Sequence, residues 1–110
     1  MEDEDFVVTL PLFMVVDESK GISPLKCVSE EDENIRGIAI FTEELLAERA
    51  RDSQSPLAQI WPIPAKSNVD FHIQSMRNGG FRYVAIDPYE ESGRSTRFLT
   101  LEQFKRANGL

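Results

Sequence analysis

Between Arg36 and Ala50 the chain passes from an unbroken apolar run straight into a helical pattern, and this junction constrains the fold more than any other stretch. Ile38, Ala39, Ile40 and Phe41 follow one another without a polar interruption, as suits a strand covered on both faces. Thr42 falls where an N-cap belongs, its hydroxyl placed to accept from the free amides of a first helical turn. Glu43 and Glu44 come next, at the helix end whose dipole favours acidic side chains. At about 100° per residue, Glu44, Glu48, Arg51 and Asp52 share one side of this helix. Leu46 and Ala50 lie opposite, flanked by Leu45 and Ala47. Glu48 and Arg51 are spaced for an i,i+3 pair.

The stretches on either side supply partners for that strand. Phe6 to Val16 is rich in β-formers, and Pro11 within it demands a bulge, a break or an edge position because it has no N–H to donate. Asp17 to Gly21 offers turn residues, so Ile22 to Val28 can return as the second strand of a hairpin. Leu57 to Pro64 reads as a short strand ending in a proline-fixed segment. A second helix is expected over Asn68–Asn78, with Ser67 as its cap and Gly79 in the left-handed position that ends it. Its apolar stripe is Val69, Ile73 and Met76. Phe81 to Ile86 is a further strand, stopped by Asp87-Pro88. Thr100-Leu-Glu-Gln103 has the spacing of a capping box and opens a short C-terminal helix that docks Leu101 and Phe104. The order predicts an α+β fold: a mixed β-sheet of about five to six strands with two main helices and a short C-terminal helix, the helices mainly on one face. Residues 1–110 read as a single domain with a frayed acidic end at 1–5.

Charge narrows the classes of partner. The 110 residues carry a net charge of −7. Residues 1–55 hold 14 acids against 5 bases, a net −9, and residues 56–110 hold 5 acids against 7 bases, a net +2. An acidic chain without a basic stripe repels phosphate backbones, so nucleic acid is not an expected partner. The clusters Glu2–Asp5 and Glu30–Glu33 would instead steer a basic protein surface, or serve only as a solvated end and loop. No apolar run is long enough to cross a bilayer, so no membrane contact is expected. The acidic start lacks the basic region of a secretory signal, and the expected location is the cytoplasm. Cys27 is the single cysteine, which rules out an internal disulfide and a cysteine-built zinc site.

Two segments together resemble a known family. Ile38-Ala-Ile-Phe-Thr-Glu-Glu-Leu-Leu46 is similar to the strand-to-helix motif of the SseB-like domains, named after the bacterial enhanced-serine-sensitivity protein. Gly80-Phe-Arg-Tyr-Val-Ala-Ile-Asp-Pro88 resembles the family's second landmark, a glycine and apolar strand leading to Asn-Pro, with Asp in place of Asn here. The resemblance spans about residues 6–89. It implies a small bacterial α+β module without established catalytic residues, associated with secretion or toxin-related neighbourhoods. No site residue carries over.

Catalytic sets are scarce. His72 is the single histidine and sits at the edge of the second helix's apolar stripe, where packing its ring is the simplest role. Asp87, Glu90 and Glu91 lie just past a strand end, a common place for functional groups. Asp87 and Glu90, with His72, form the fallback set for a small-ligand or metal site. The aromatics give the stronger lead. Phe71 falls about 160° from Ile73 on the wheel, Tyr89 opens a polar loop with Arg94 and Arg97 close by, and Trp61 stands beside a proline. Aromatic and arginine side chains anchor protein interfaces; the alternative is that Trp61 fills the core and Phe71 touches another element. The preferred reading is a non-enzymatic interaction module, without catalytic residues, cofactor or metal, that binds another protein. On the resemblance it would be an adaptor or immunity-like protein. The other readings are a small-ligand or metal-binding enzyme at the Asp87 loop, and a homodimer that adds edge strands at Phe6–Val16.

Overall fold

In a computed structural model, residues 9–19, 21–29, 31–88 and 96–110 are described. The chain forms an α+β fold. Its strands are β1 (Leu12–Asp17), β2 (Ser23–Pro24), β3 (Lys26–Val28), β4 (Arg36–Ile40), β5 (Gln59–Ile63), β6 (Tyr83–Ile86) and β7 (Arg97–Thr100). Its helices are α1 (Glu44–Gln54), α2 (Lys66–Asn78) and α3 (Leu101–Ala107). The expected single sheet of five to six strands is instead, among the described residues, seven strands in two sheets, ordered β2-β1-β5 and β3-β4-β6-β7. Among these strands only β4 and β6 run parallel, and the other pairs are antiparallel.

The two sheets meet where β1 approaches β4. Phe13 and Phe41 exchange both backbone hydrogen bonds, at 2.9 and 2.8 Å. Leu25 makes the second link: its N–H donates to the Val15 carbonyl at 2.8 Å, and its carbonyl accepts from Ala39 at 2.9 Å. The segment from Ser23 to Val28 therefore leaves β1 and joins β4 at that residue. β1 is consequently interior, with β2 on one side and β5 on the other. This corrects its proposed role as a free edge for dimer formation; Phe6 to Val8 lie outside the described residues. Of that sheet's two outer strands, β2 and β5, the latter carries Pro62 opposite Phe13. Phe13 turns its own amide and carbonyl toward Phe41, so the N–H that proline lacks leaves no gap in the β1–β5 ladder.

Alternation along the strands builds two cores, one on each side of the sheets. Leu12, Met14 and Val16 of β1 and Ile38 and Ile40 of β4 face α2 and α3, where Val69, Ile73 and Phe104 pack against them. Val15, Ala39 and Phe41 face the opposite way and meet Ala47 and Ala50 of α1. Both central strands are thus covered twice, which is why they read as continuous apolar runs. Among the described residues the helices divide two to one between the faces. Close approach of β4 to β6 requires glycine at position 37, where an added Cβ would come within 2.8 Å of the Val84 backbone.

Helix ends correct several expectations. Thr42 does not cap α1: the N-cap is Glu43, and it makes no side-chain cap bond. α2 begins at Lys66 after Ala65, so Ser67 lies inside the helix and is not its cap. The left-handed residue that ends α2 is Gly80 (φ +86°) and not Gly79. The Gly80 and Phe81 amides bond back to Arg77 and Met76 at 3.1 and 2.9 Å, the Schellman pattern. The Thr100/Gln103 capping box forms as expected, and Leu101 and Phe104 are buried. Arg51 pairs with Asp52 at 3.2 Å, where Glu48 had been its expected partner.

Candidate functional site: an apolar groove beside the second helix

α2 buries Val69, Ile73 and Met76 and leaves an adjoining stripe, Phe71, His72, Ser75 and Gly79, at the boundary with solvent. Facing it are Met14 and Val16 of β1, Ile22 and Pro24 of the hairpin, Trp61 of β5, and Phe81 just beyond the helix. Together they enclose a groove of about 330 Å³, at the small end of the range for ligand sites in proteins, roughly 300–1,000 Å³. Trp61 reaches it because β5 pairs with β1 in a register that sets Trp61 opposite Met14. On its rim Phe71 is 66% exposed and Ile22 71% exposed. The Phe71 ring stands edge-on to the His72 ring, centroids 5.4 Å apart. At the far end the Lys26 ammonium lies over Phe81, 5.4 Å from the ring centroid, within cation–π range.

The electrostatics of the groove are those of an apolar surface. His72 is the one titratable group among the described residues that line it. Burial removes water from its imidazole and pulls its pKa below the usual 6.5, so the neutral form prevails at physiological pH. Ser75 adds a hydroxyl, and among the described residues no carboxylate lines the groove. The arrangement offers contact area with one or two hydrogen-bonding points.

Trp61, Phe71 and His72 are thereby brought to one place. The two readings of Trp61 are both partly realised: it is half-buried, packs against the larger core and borders the groove. Phe71 is exposed, as its angle on the wheel implied. Arg97 lies elsewhere, on β7 opposite Ile86. Tyr89, Glu90 and Arg94 lie outside the described residues. Met14, Ile22, Pro24 and Phe81 escaped sequence reasoning; they read as ordinary strand residues, and only the hairpin's position over α2 makes them groove walls.

Asp87 does not join His72. The Thr42 amide and hydroxyl donate to the two Asp87 carboxylate oxygens at 2.8 and 2.7 Å, and the Asp87 N–H donates to the Ile40 carbonyl at 2.8 Å. The residue takes a left-handed backbone (φ +46°), a conformation Asp tolerates better than most side chains. It clamps the C-terminal ends of β4 and β6, so this member of the fallback ligand set is engaged internally. Among the described residues no cluster of three or more His, Cys, Asp or Glu could hold a metal ion, and no helix is long and apolar enough to cross a membrane. A flatter depression of about 360 Å³ lies between Arg77, Arg82, Tyr83, Thr100 and Glu102, where Arg77 and Glu102 form an ion pair at 2.9 Å.

No family model matches the chain, and comparison with curated proteins finds no relative.

Proposed function

We propose that the chain is a protein-interaction module without enzymatic activity, and that it binds through the groove between α2 and the β1–β2 hairpin. The supporting observation is the contrast between this lining and the rest of the molecule. In a chain with 28% charged residues, the groove gathers Trp61, Phe71, Phe81, Met14 and Met76 around one neutral imidazole. Protein interfaces are likewise depleted of charge at their centres and enriched in aromatics and methionine. The exposed acids Glu31, Asp32 and Glu33 would add electrostatic steering toward a partner with a basic surface. An adaptor or immunity-like role, in the cytoplasm, is the extension that the SseB-like resemblance suggests.

The test compares two baits from one lysate, wild type and Phe71→Glu, at low and high salt. A partner held by the wild type and lost by the variant supports the groove. A partner held equally by both places the contact elsewhere. A second reading, a small apolar ligand carrying one hydrogen-bonding group, draws on the convergence of His72 and Ser75 on the groove. Under that reading, uncharged aromatic compounds raise the melting temperature of the wild type, since a ligand specific to the native state stabilises it; a panel that leaves it unmoved counts against the reading.

A further inference from the structure

An imidazole is an unusual member of the surface that holds it. Apart from His72 and Ser75, the described residues of the groove are aliphatic, aromatic or thioether side chains and one glycine, contributed by β1, the hairpin, β4, β5, α2 and the segment after it. The charges these elements carry stand outside the lining. Asp17, at the end of β1, accepts from the Ser19 amide and hydroxyl at 2.9 and 2.6 Å, and Glu18 follows it in the turn. Lys26 lies over Phe81, Arg36 opens β4, and Arg82 borders the second depression. On α2 itself, Lys66, Asp70 and Arg77 lie roughly 120–160° round the helix from His72. Lys20 is outside the described residues. A proton added to His72 therefore meets no carboxylate among the described residues of the groove.

We propose that His72 controls the groove: an uncharged apolar group is held there while the imidazole is neutral and is released when the imidazole takes up a proton. The proposal rests on the reading of the groove as a binding surface and adds what regulates it.

The geometry sets the direction. His72 is half-buried, its ring stands against that of Phe71 with planes at 77°, and it shares the groove with Trp61 and Met76. An apolar group seated against these side chains takes away water that still reaches the imidazole. Neutral imidazole gives up that water at modest cost, whereas an imidazolium without an anion beside it loses far more. Burial by the chain's own side chains already holds the His72 pKa below 6.5, and an occupant pushes it further the same way. Binding and protonation are reciprocal. The affinity is therefore level above pH 6.5 and falls below the folded pKa, by at most about tenfold per pH unit for one proton.

The deciding experiment titrates the full chain with N-phenyl-naphthylamine, an uncharged aromatic fluorophore, from about pH 7.5 to about pH 5, the range in which histidine changes charge. Wild type is expected to bind evenly above pH 6.5 and to lose roughly three- to tenfold in affinity by the acid end, with unchanged circular dichroism. His72→Gln and His72→Phe are expected to bind with an affinity that pH does not alter. Phe71→Ser is expected to bind weakly at every pH. A second readout needs no variant: the ring protons of the single histidine report its titration by NMR, and saturating probe should move the midpoint to lower pH. Affinity that depends on Phe71 but stays level to the acid end overturns the control by His72 and keeps the groove. A decline shared by both His72 variants, or a histidine midpoint that the probe leaves in place, overturns it equally. Binding indifferent to Phe71→Ser, or no binding at any pH, removes the groove and its regulation together.

Discussion

At the C-terminal ends of β4 and β6 a carboxylate is fully engaged, and along α2 an aromatic ring is not. Asp87 has both oxygens on Thr42 and its amide on Ile40, in a backbone conformation that its surroundings must hold in place. Phe71 stands nearly perpendicular to the His72 ring and is 66% exposed. In sequence the two look alike, each a chemically capable residue outside an apolar stripe. The difference is what each side chain meets: one joins two strands, the other stands largely in solvent.

Substitutions sharpen this contrast. The largest effect is expected at the clamp. Asp87→Ala removes two charge-assisted hydrogen bonds and leaves the Thr42 amide without its acceptor, a loss of about 3 kcal/mol in a denaturant titration. Asp87→Asn should recover about half of that, since Asn retains one acceptor oxygen and tolerates a positive φ. Similar stability for Asp87→Ala and wild type would break the comparison at its first term. Next comes Thr100→Ala, which dissolves the capping box of α3 at about 1 kcal/mol. A smaller effect follows from His72. Its folded pKa lies below the unfolded 6.5, so the unfolded chain takes up the proton first. The stability that neutral His72 contributes is therefore present above pH 6.5 and is lost as pH falls from there through the lower folded value. Unfolding titrations of wild type and His72→Gln should diverge in that window and run parallel above it. Smallest is Phe71→Ser, expected within about 0.5 kcal/mol of wild type in the isolated chain. A loss several times larger would mean that Phe71 supports the fold after all.

The parts of the fold that were legible in sequence depend on neighbours close in the chain. The β4 run and its double cover, the α2 stripe and the Thr100 capping box are all local patterns, and each formed as the residues implied. What sequence alone misassigned depends on distant partners. Thr42 has the look of a helix cap, but the helix starts one residue later, and the Thr42 amide and hydroxyl both donate to Asp87, 45 positions away. The division into two sheets turns on the bonds of Leu25 and on the Phe13–Phe41 bridge, which no periodicity announces. Of the candidate site, the exposure of Phe71 was visible from its helical angle, whereas its meeting with Trp61 required the β1–β5 register.

Leu25 has a consequence for how the molecule comes apart. One residue donates into one sheet and accepts from the other, so neither sheet can open along that seam without breaking a bond held by its neighbour. Separate fraying of the two halves is suppressed, and the Leu25 and Ala39 amides should exchange with solvent deuterium only when the whole structure opens. Together with the Phe13–Phe41 pair, this one residue stitches the two sheets into a single hydrogen-bonded unit.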